Sequence, residues 1–231
     1  GDEFTPPAQP VSTLQQRPNT TRVADFDDDG DADVLEQGKF LVWYENEGSQ
    51  TFTQHLLTNV RVREADTADV DGDGDLDIVA QATEGSRLIA NPRDTDGDGV
   101  KEYVPYEQVV WFENDGMGGF SAPKTLVSAK RDISDIATAD LDGDGEGEVL
   151  STSTRTRRRD LDGDGTVQND EELSPKTAWH DTDGSGGFTD DVIEEGGYML
   201  HAADPDGNGT LDVIFGGEYN NNYVMSWIEN Q

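Results

Sequence analysis

An acidic, glycine-bearing loop is written four times along the chain: DFDDDGDAD from Asp25, DVDGDGDLD from Asp69, DLDGDGEGE from Asp140 and DPDGNGTLD from Asp204. The copies start 44, 71 and 64 residues apart, and 52 residues lead from the last to the first through joined ends. A period of this size marks a repeat architecture, in which each unit buries its apolar face only against its neighbours. A second landmark follows each loop. It is a Trp strand with a turn: LVWYENEGSQTF at Trp43, VVWFENDGMGGF at Trp111, TAWHDTDGSGGF at Trp179 and MSWIENQ at Trp227. The four Trp residues of the chain are thereby spent at one per copy. The fourth copy stops after its turn, and its missing text stands at the other end, where GDEFTPPAQPVST matches GGFSAPKTLVSA from Gly118.

Within each copy, short β-type runs alternate with Gly, Asp and Asn turns, which predicts a four-stranded antiparallel meander. In the second copy the expected strands are Val62 to Ala68, Leu76 to Gln81, Gln108 to Glu113 and Phe120 to Ala129. The fold expected is all-β: a β-propeller of four four-stranded antiparallel blades, the last closed by the N-terminal strand in cis, or in trans from a neighbouring chain. Closure removes the exposed sheet edges that an open array keeps. The expected single domain, 1–231, has blade 1 at about 14–58. Blade 2 covers about 59–129 with an insertion at 85–106. Blade 3 covers about 130–195 with an insertion at 154–175, and blade 4 about 196–231 plus 1–13. One Trp per blade is expected in the core between blades.

The loops have the chemistry of a calcium chelator. Hard cations take oxygen ligands at alternate positions of a tight, Gly-bearing turn. Positions 1, 3, 5 and 9 are expected to offer side-chain oxygens, and position 7 its carbonyl. The first loop gives Asp25, Asp27, Asp29, Asp31 and Asp33. The second gives Asp69, Asp71, Asp73, Asp75 and Asp77. The third gives Asp140, Asp142, Asp144, Glu146 and Glu148, with a longer acid at position 9. The fourth gives Asp204, Asp206, Asn208, Thr210 and Asp212, one charge poorer. Without a cation, such clusters of carboxylates repel one another. Two more loops lie in the insertions: Asp94, Asp96, Asp98, Val100 and Glu102, and an EF-hand-type run of Asp160, Asp162, Asp164, Thr166 and Glu171 with Gly165 at its sixth position. Up to six Ca²⁺ are expected, four of them in the repeats.

Acidity organised in this way changes the meaning of the composition. A net charge of −34 with 32% hydrophobic residues would suit disorder. Here nearly half of the 50 Asp and Glu fall at expected ligand positions. The remaining excess argues against nucleic acid and against an anionic membrane surface. There is no Cys, so metal would do the stapling that disulfides do in many secreted domains. No apolar run approaches the roughly 20 residues of a spanning helix. No charged segment followed by an apolar core opens the text, so the chain reads as a processed form or a piece of a larger protein. Free calcium is scarce in cytosol, which favours an extracellular or cell-surface setting.

The loop, the small-residue strand before it and the W-x-E-N-x-G-x-x-F turn after it resemble the FG-GAP/VCBS repeats of integrin-alpha-like propellers. The resemblance runs over the whole chain and implies calcium in the loops between first and second strands, outside the cell. Such propellers usually have about seven blades, against four copies here.

Other chemistry is sparse. His201 precedes a loop on an inner strand and is expected in the core, whereas His180 and His55 are expected at the surface. No Cys nucleophile, G-x-S-x-G or phosphate loop is present, and no catalytic residue is expected. The basic run Arg155, Arg157, Arg158 and Arg159 reads either as a clamp for an acidic glycan or as charge balance for the loop beside it. The expected function is a non-catalytic, extracellular, calcium-binding module for adhesion, ligand binding or structural self-assembly. An acidic glycan or surface protein, or a second copy through N-terminal strand exchange, would be the partner. The alternative is a polysaccharide-active enzyme or its accessory carbohydrate-binding domain.

Overall fold

The computed structural model describes residues 10–11, 19–49, 51–83, 107–129, 133–153, 176–182, 188–195, 199–219 and 222–230. Fifteen strands and no helix occur among them, arranged as four antiparallel sheets. The first sheet is β1 (Thr20–Ala24), β2 (Asp33–Gln37), β3 (Leu41–Asn46) and β4 (Phe52–Thr58). The second is β5 (Arg61–Ala68), β6 (Asp77–Thr83), β7 (Glu107–Phe112) and β8 (Lys124–Ala129). The third is β9 (Ile133–Ala139), β10 (Glu148–Ser153), β11 (Lys176–Thr182) and β12 (Phe188–Glu195). The fourth has β13 (Met199–Ala203), β14 (Asp212–Tyr219) and β15 (Asn222–Ile228). Strand order follows chain order in every sheet, as in a meander.

Both faces of the middle sheets are covered, and the sequence shows it. β6, DIVAQAT, is buried almost from end to end. Ile78, Ala80 and Ala82 face the first sheet, where they join Phe26, Leu35 and Trp43. Val79 faces the third and meets Ile133, Ile136 and Val149. Gln81 is on that same side, and its amide donates to Ile133 O at 2.6 Å and to Glu107 Oε2 at 3.1 Å, so its burial leaves no donor stranded. Outer strand β4 instead has no fully buried position, as befits a solvated edge.

The sheets lie side by side in chain order, with their first strands as neighbours. Arg22 of β1 lies 3.5 Å from both Glu64 and Asp66 of β5. Thr138 of β9 donates its amide to Asp66 and its hydroxyl to Thr67 O. Leu200 of β13 donates to Asp135 of β9 at 2.9 Å. Three cores fill the gaps between consecutive sheets. In the first, the rings of Phe26, Trp43 and Phe120 meet edge to face, with centroids 5.7 to 6.3 Å apart. Gly118 lies against Trp43, and a Cβ there would collide with the indole ring.

Several expectations are corrected. The outer strand of the second sheet starts at Lys124, not Phe120, because Pro123 has no N–H to extend the ladder. Phe120 makes only an isolated bridge to Asn114. Alternation along the strands explains the histidines and the tryptophans together. Trp43, Trp111 and Trp179 each face the next sheet, and the first two are only 1% exposed. His180 is one position on from Trp179, so it faces back into the gap with the second sheet. It is buried, not at the surface, and Ser151 Oγ lies 2.8 Å from its Nε2. Trp227 faces away from the third sheet and is 46% exposed, with Met225 beside it at 74%. The expected core Trp of the fourth blade is therefore at the surface. His201, opposite Ile214 on that same outer face, is exposed rather than core. The expected closing strand, 1–13, lies outside the described residues except for Pro10 and Val11, which are exposed. Both insertions lie outside them as well.

Candidate metal centres

Each repeat loop joins the first strand of its sheet to the second and turns on two left-handed residues. Position 6 is Gly in all four loops, with φ between +91° and +99° at Gly30, Gly74, Gly145 and Gly209. Only Gly takes that conformation without strain. Its amide donates to the position-1 carboxylate in every loop, at 2.9 to 3.2 Å. Position 5 accepts the amide of position 7 in every loop: Asp29 from Asp31, Asp73 from Asp75, Asp144 from Glu146 and Asn208 from Thr210. Four sequences thus fold to one turn, and the turn orients the acids before any ion is considered.

Carboxylate oxygens converge to within 4.8 Å of one another in all four loops. The sets are Asp25, Asp27 and Asp29; Asp69, Asp71 and Asp77; Asp140, Asp142 and Glu148; and Asp204, Asp206 and Asp212. Positions 1 and 3 converge throughout. Position 9 completes the set in the last three loops and position 5 in the first. Position 7 places its side chain elsewhere: Asp31 lies against Gly48 and Asp75 against Gly116, in the turns after the Trp strands. The insertion acids Asp94, Asp96, Asp98, Glu102, Asp160, Asp162, Asp164 and Glu171, with Val100 and Thr166, lie outside the described residues. Both insertions connect a second strand to a third, so their anchor points are at the opposite end of the sheets from the repeat loops.

Position 9 also braces the loop. Asp33 accepts the amides of Phe26 and Asn46, and Asp77 those of Val70 and Asn114. Asp212 accepts Asn230 N at 2.8 Å, but position 2 of its loop is Pro205, which has no N–H, and the buried Oδ2 of Asp212 is left without a protein partner. Glu148 accepts Leu141 N at 2.6 Å, and its buried Oε1 has none. Asp69 Oδ1 and Asp71 Oδ1 are in the same condition. Buried carboxylate oxygens without donors are costly, and a hard cation in the cluster would satisfy them.

The electrostatics agree. Burial pushes Glu148 up to about 7, and the neighbouring Asp142, Asp144 and Asp140 charges add to the shift. Burial likewise pushes Asp77 up to about 6, against the pull of the Asn114 and Val70 amides. Asp27 and Asp71 are raised by burial, then by neighbouring acids. Asp204, in an open loop, is held below the usual range by the amides of Gly209, Gly207 and Asn208.

The asparagines of the W-x-E-N turns are functional residues that the loop pattern does not name. Asn114 donates its side-chain amide to Leu76 O of its own loop and to Phe26 O of the first, at 3.0 and 2.7 Å. Asn230 does the same with Leu211 O and Leu141 O. Adjoining loops are tied through these side chains. Their repetition after Trp43, Trp111 and Trp227 was the available signal. The third sheet has Thr182 in that place and ties its loop differently. Gly147 N donates directly to Asp69 O at 2.6 Å, in a contact so close that a Cβ on Gly147 would meet that of Ala68 at 2.6 Å. Gly147 at position 8 permits this approach, and the Glu148 that follows it still reaches the cluster of its own loop.

A family model described as an FG-GAP-like repeat matches residues 94–151. That stretch is similar to an FG-GAP-like repeat. This FG-GAP-like repeat starts in the β6–β7 connection and ends on β10, taking the last two strands of one sheet, the third metal loop and the first two strands of the next. FG-GAP-like repeats are typically non-catalytic and extracellular, and they suggest a ligand-binding or adhesion-type module. No curated protein matches the chain. Among the described residues, no helix is long and apolar enough to cross a membrane.

Proposed function

We propose that this chain is a calcium-binding β-propeller module, non-catalytic and extracellular, that serves adhesion, ligand binding or structural assembly. The observation that carries the reading is the convergence of carboxylates in all four loops together with buried oxygens that lack donors in three of them. Positions 1 and 3 of each loop would hold the ion, with position 9 or 5 completing the carboxylate set. Bound calcium would offset part of each loop's negative charge and supply an oxygen-coordinated anchor at the end of each sheet. Four meanders side by side, first strands adjacent, support the propeller. The ligand we expect is an acidic glycan or a surface protein.

Calcium is favoured over magnesium by the irregular, multi-carboxylate donor sets, since Mg²⁺ demands a near-octahedral shell and keeps its waters. Stripping the metal is expected to lower Tm by at least about 10 °C, since several sites contribute to one fold. Ca²⁺ should restore the melt and Mg²⁺ should not. Thermal melts with chelator, Ca²⁺ and Mg²⁺, together with calorimetric titration, test this. An unchanged melt after stripping would refute the proposal.

A further inference from the structure

A run of hydrogen bonds leads from a carboxylate of the fourth loop to a carboxylate of the third. Asn230, in the turn after β15, donates its backbone amide to Asp212 Oδ1 at 2.8 Å. Its side-chain amide donates to Leu141 O of the third loop at 2.5 Å. Leu141 in turn donates its amide to Glu148 Oε2 at 2.6 Å. Leu141 stands between Asp140 and Asp142, so the two peptide groups held in this way lie at the centre of the third carboxylate set. Asp212 and Glu148 are both fully buried, and both belong to the converging sets of their loops. Each keeps a second oxygen without a protein donor, Oδ2 of Asp212 and Oε1 of Glu148. Pro205 offers no N–H to Asp212, which leaves the Asn230 amide as its brace.

The first two loops have the same tie with a different ending. Asn114 donates its backbone amide to Asp77 Oδ1 and its side-chain amide to Phe26 O. Phe26 N then reaches Asp33 Oδ2 at 3.0 Å. Asp33 stands outside the converging set of its loop, which is Asp25, Asp27 and Asp29. Both oxygens of Asp77 already have amide donors. That run starts on a satisfied carboxylate and stops short of the neighbouring set.

We propose that the third and fourth loops take up calcium as a coupled pair, with Asn230 as the positioning residue that carries the coupling. The proposal rests on the reading of these loops as calcium sites. An ion held by Asp212 would fix that carboxylate, and with it the Asn230 amide, the Leu141 peptide groups and Glu148. The third loop would then have less freedom left to lose when its own ion arrives, which is positive cooperativity without a change of shape. Linkage makes the effect reciprocal, so each ion raises the affinity for the other by one common factor, typically at least about fivefold.

Amide hydrogen exchange of the full chain across a calcium titration tests this, because peptides covering 140–148 and 204–212 report the midpoint of each loop separately. Asp204→Ala removes a carboxylate of the fourth set that lies outside the run. It should move the midpoint of the third loop to at least about fivefold higher calcium. Asp142→Ala should move the midpoint of the fourth loop by the same factor, and reads the coupling from the other side if the first variant folds poorly. Asn230→Ala keeps its backbone N–H, and in that background the shift caused by Asp204→Ala should vanish. In an Asn46→Ala background the shift should persist, since the Asn46 side-chain amide reaches Ala32 O of its own loop. A general loss of stability would weaken both loops and leave the shift in place. An unmoved midpoint in either single variant, or a shift that survives Asn230→Ala, would overturn the coupling and leave the calcium sites standing. Absence of calcium-dependent protection in every loop would overturn the calcium reading itself, and the coupled pair with it.

Discussion

The position-9 acid shows how much one side chain carries in this fold. As Asp33, Asp77 and Asp212 it braces the loop to the turn after the Trp strand through a backbone amide, and in the last three loops it also enters the carboxylate cluster. Those tasks conflict without metal, because a buried carboxylate is asked to remain charged beside other acids. Glu148, pushed up to about 7, and Asp77, pushed up to about 6, bind protons more tightly in the fold than their usual values of 4.5 and 3.8 allow in an open chain. A raised carboxyl pKa means that the folded state holds the extra proton, so stability falls as pH rises through the interval between the two values. Protein stripped of metal should therefore melt lower at pH 8 than at pH 5.5, with the loss concentrated between about pH 4 and 7. Glu148→Gln should flatten that slope, which separates the local effect from repulsion by the whole net charge. A stripped protein most stable at pH 8 would contradict it. Asp204 has the opposite shift, and its effect lies at more acid pH. The ligand alphabet was legible in the sequence, because alternate acids around a glycine have one chemistry. The bracing was not, since it depends on which amide reaches the carboxylate, and Pro205 alone advertised the exception in its loop.

At the scale of the strand and sheet, what holds neighbours together is a set of single hydrogen bonds over apolar gaps. Asn114 is buried and joins two loops, whereas the Asn46 side-chain amide reaches Ala32 O of its own loop at an exposed position. Asn114→Ala should cost about 2 kcal/mol, since buried carbonyls lose their donor, and Asn46→Ala about half of that or less. Denaturant titration of both variants measures the difference, and equal effects would mean that the tie between sheets contributes nothing. The strands were legible from short β-type runs between turn residues. Their faces were legible only in part. Strict alternation places His180 in a gap and His201 outside, but it does so only once the side that each sheet turns to its neighbour is known. Composition around His201, small and apolar, pointed the wrong way. Pro123 was visible in the text, and its missing N–H accounts for the shortened outer strand.

For the whole molecule, the periodic text foretold four sheets in chain order, and the acidity that resembles a disordered composition resolves into ordered loop ends. Closure of the four sheets into a ring would depend on how the chain ends pair rather than on any repeat, and residues 1–9 and 12–18 lie outside the described residues. The FG-GAP-like repeat, residues 94–151, does not coincide with a sheet. It takes two strands from each of two sheets. A circular permutant opened between Thr83 and Glu107, with Gln231 linked to Gly1 by a short glycine linker, should fold with the parent's calcium stoichiometry and a Tm within about 5 °C. A permutant opened inside the loop at Asp73 should fold poorly, because it severs a carboxylate cluster. Melting and titration of the two permutants decide it, and the reverse order would sink the reading. The offset between repeat and sheet has a genetic consequence. A duplication of this stretch of coding text would bring two half-sheets, each needing strands encoded in the flanking copies. The unit that can be copied is thus not the unit that can fold, and such an array can gain or lose a repeat only by re-pairing strands across the junction.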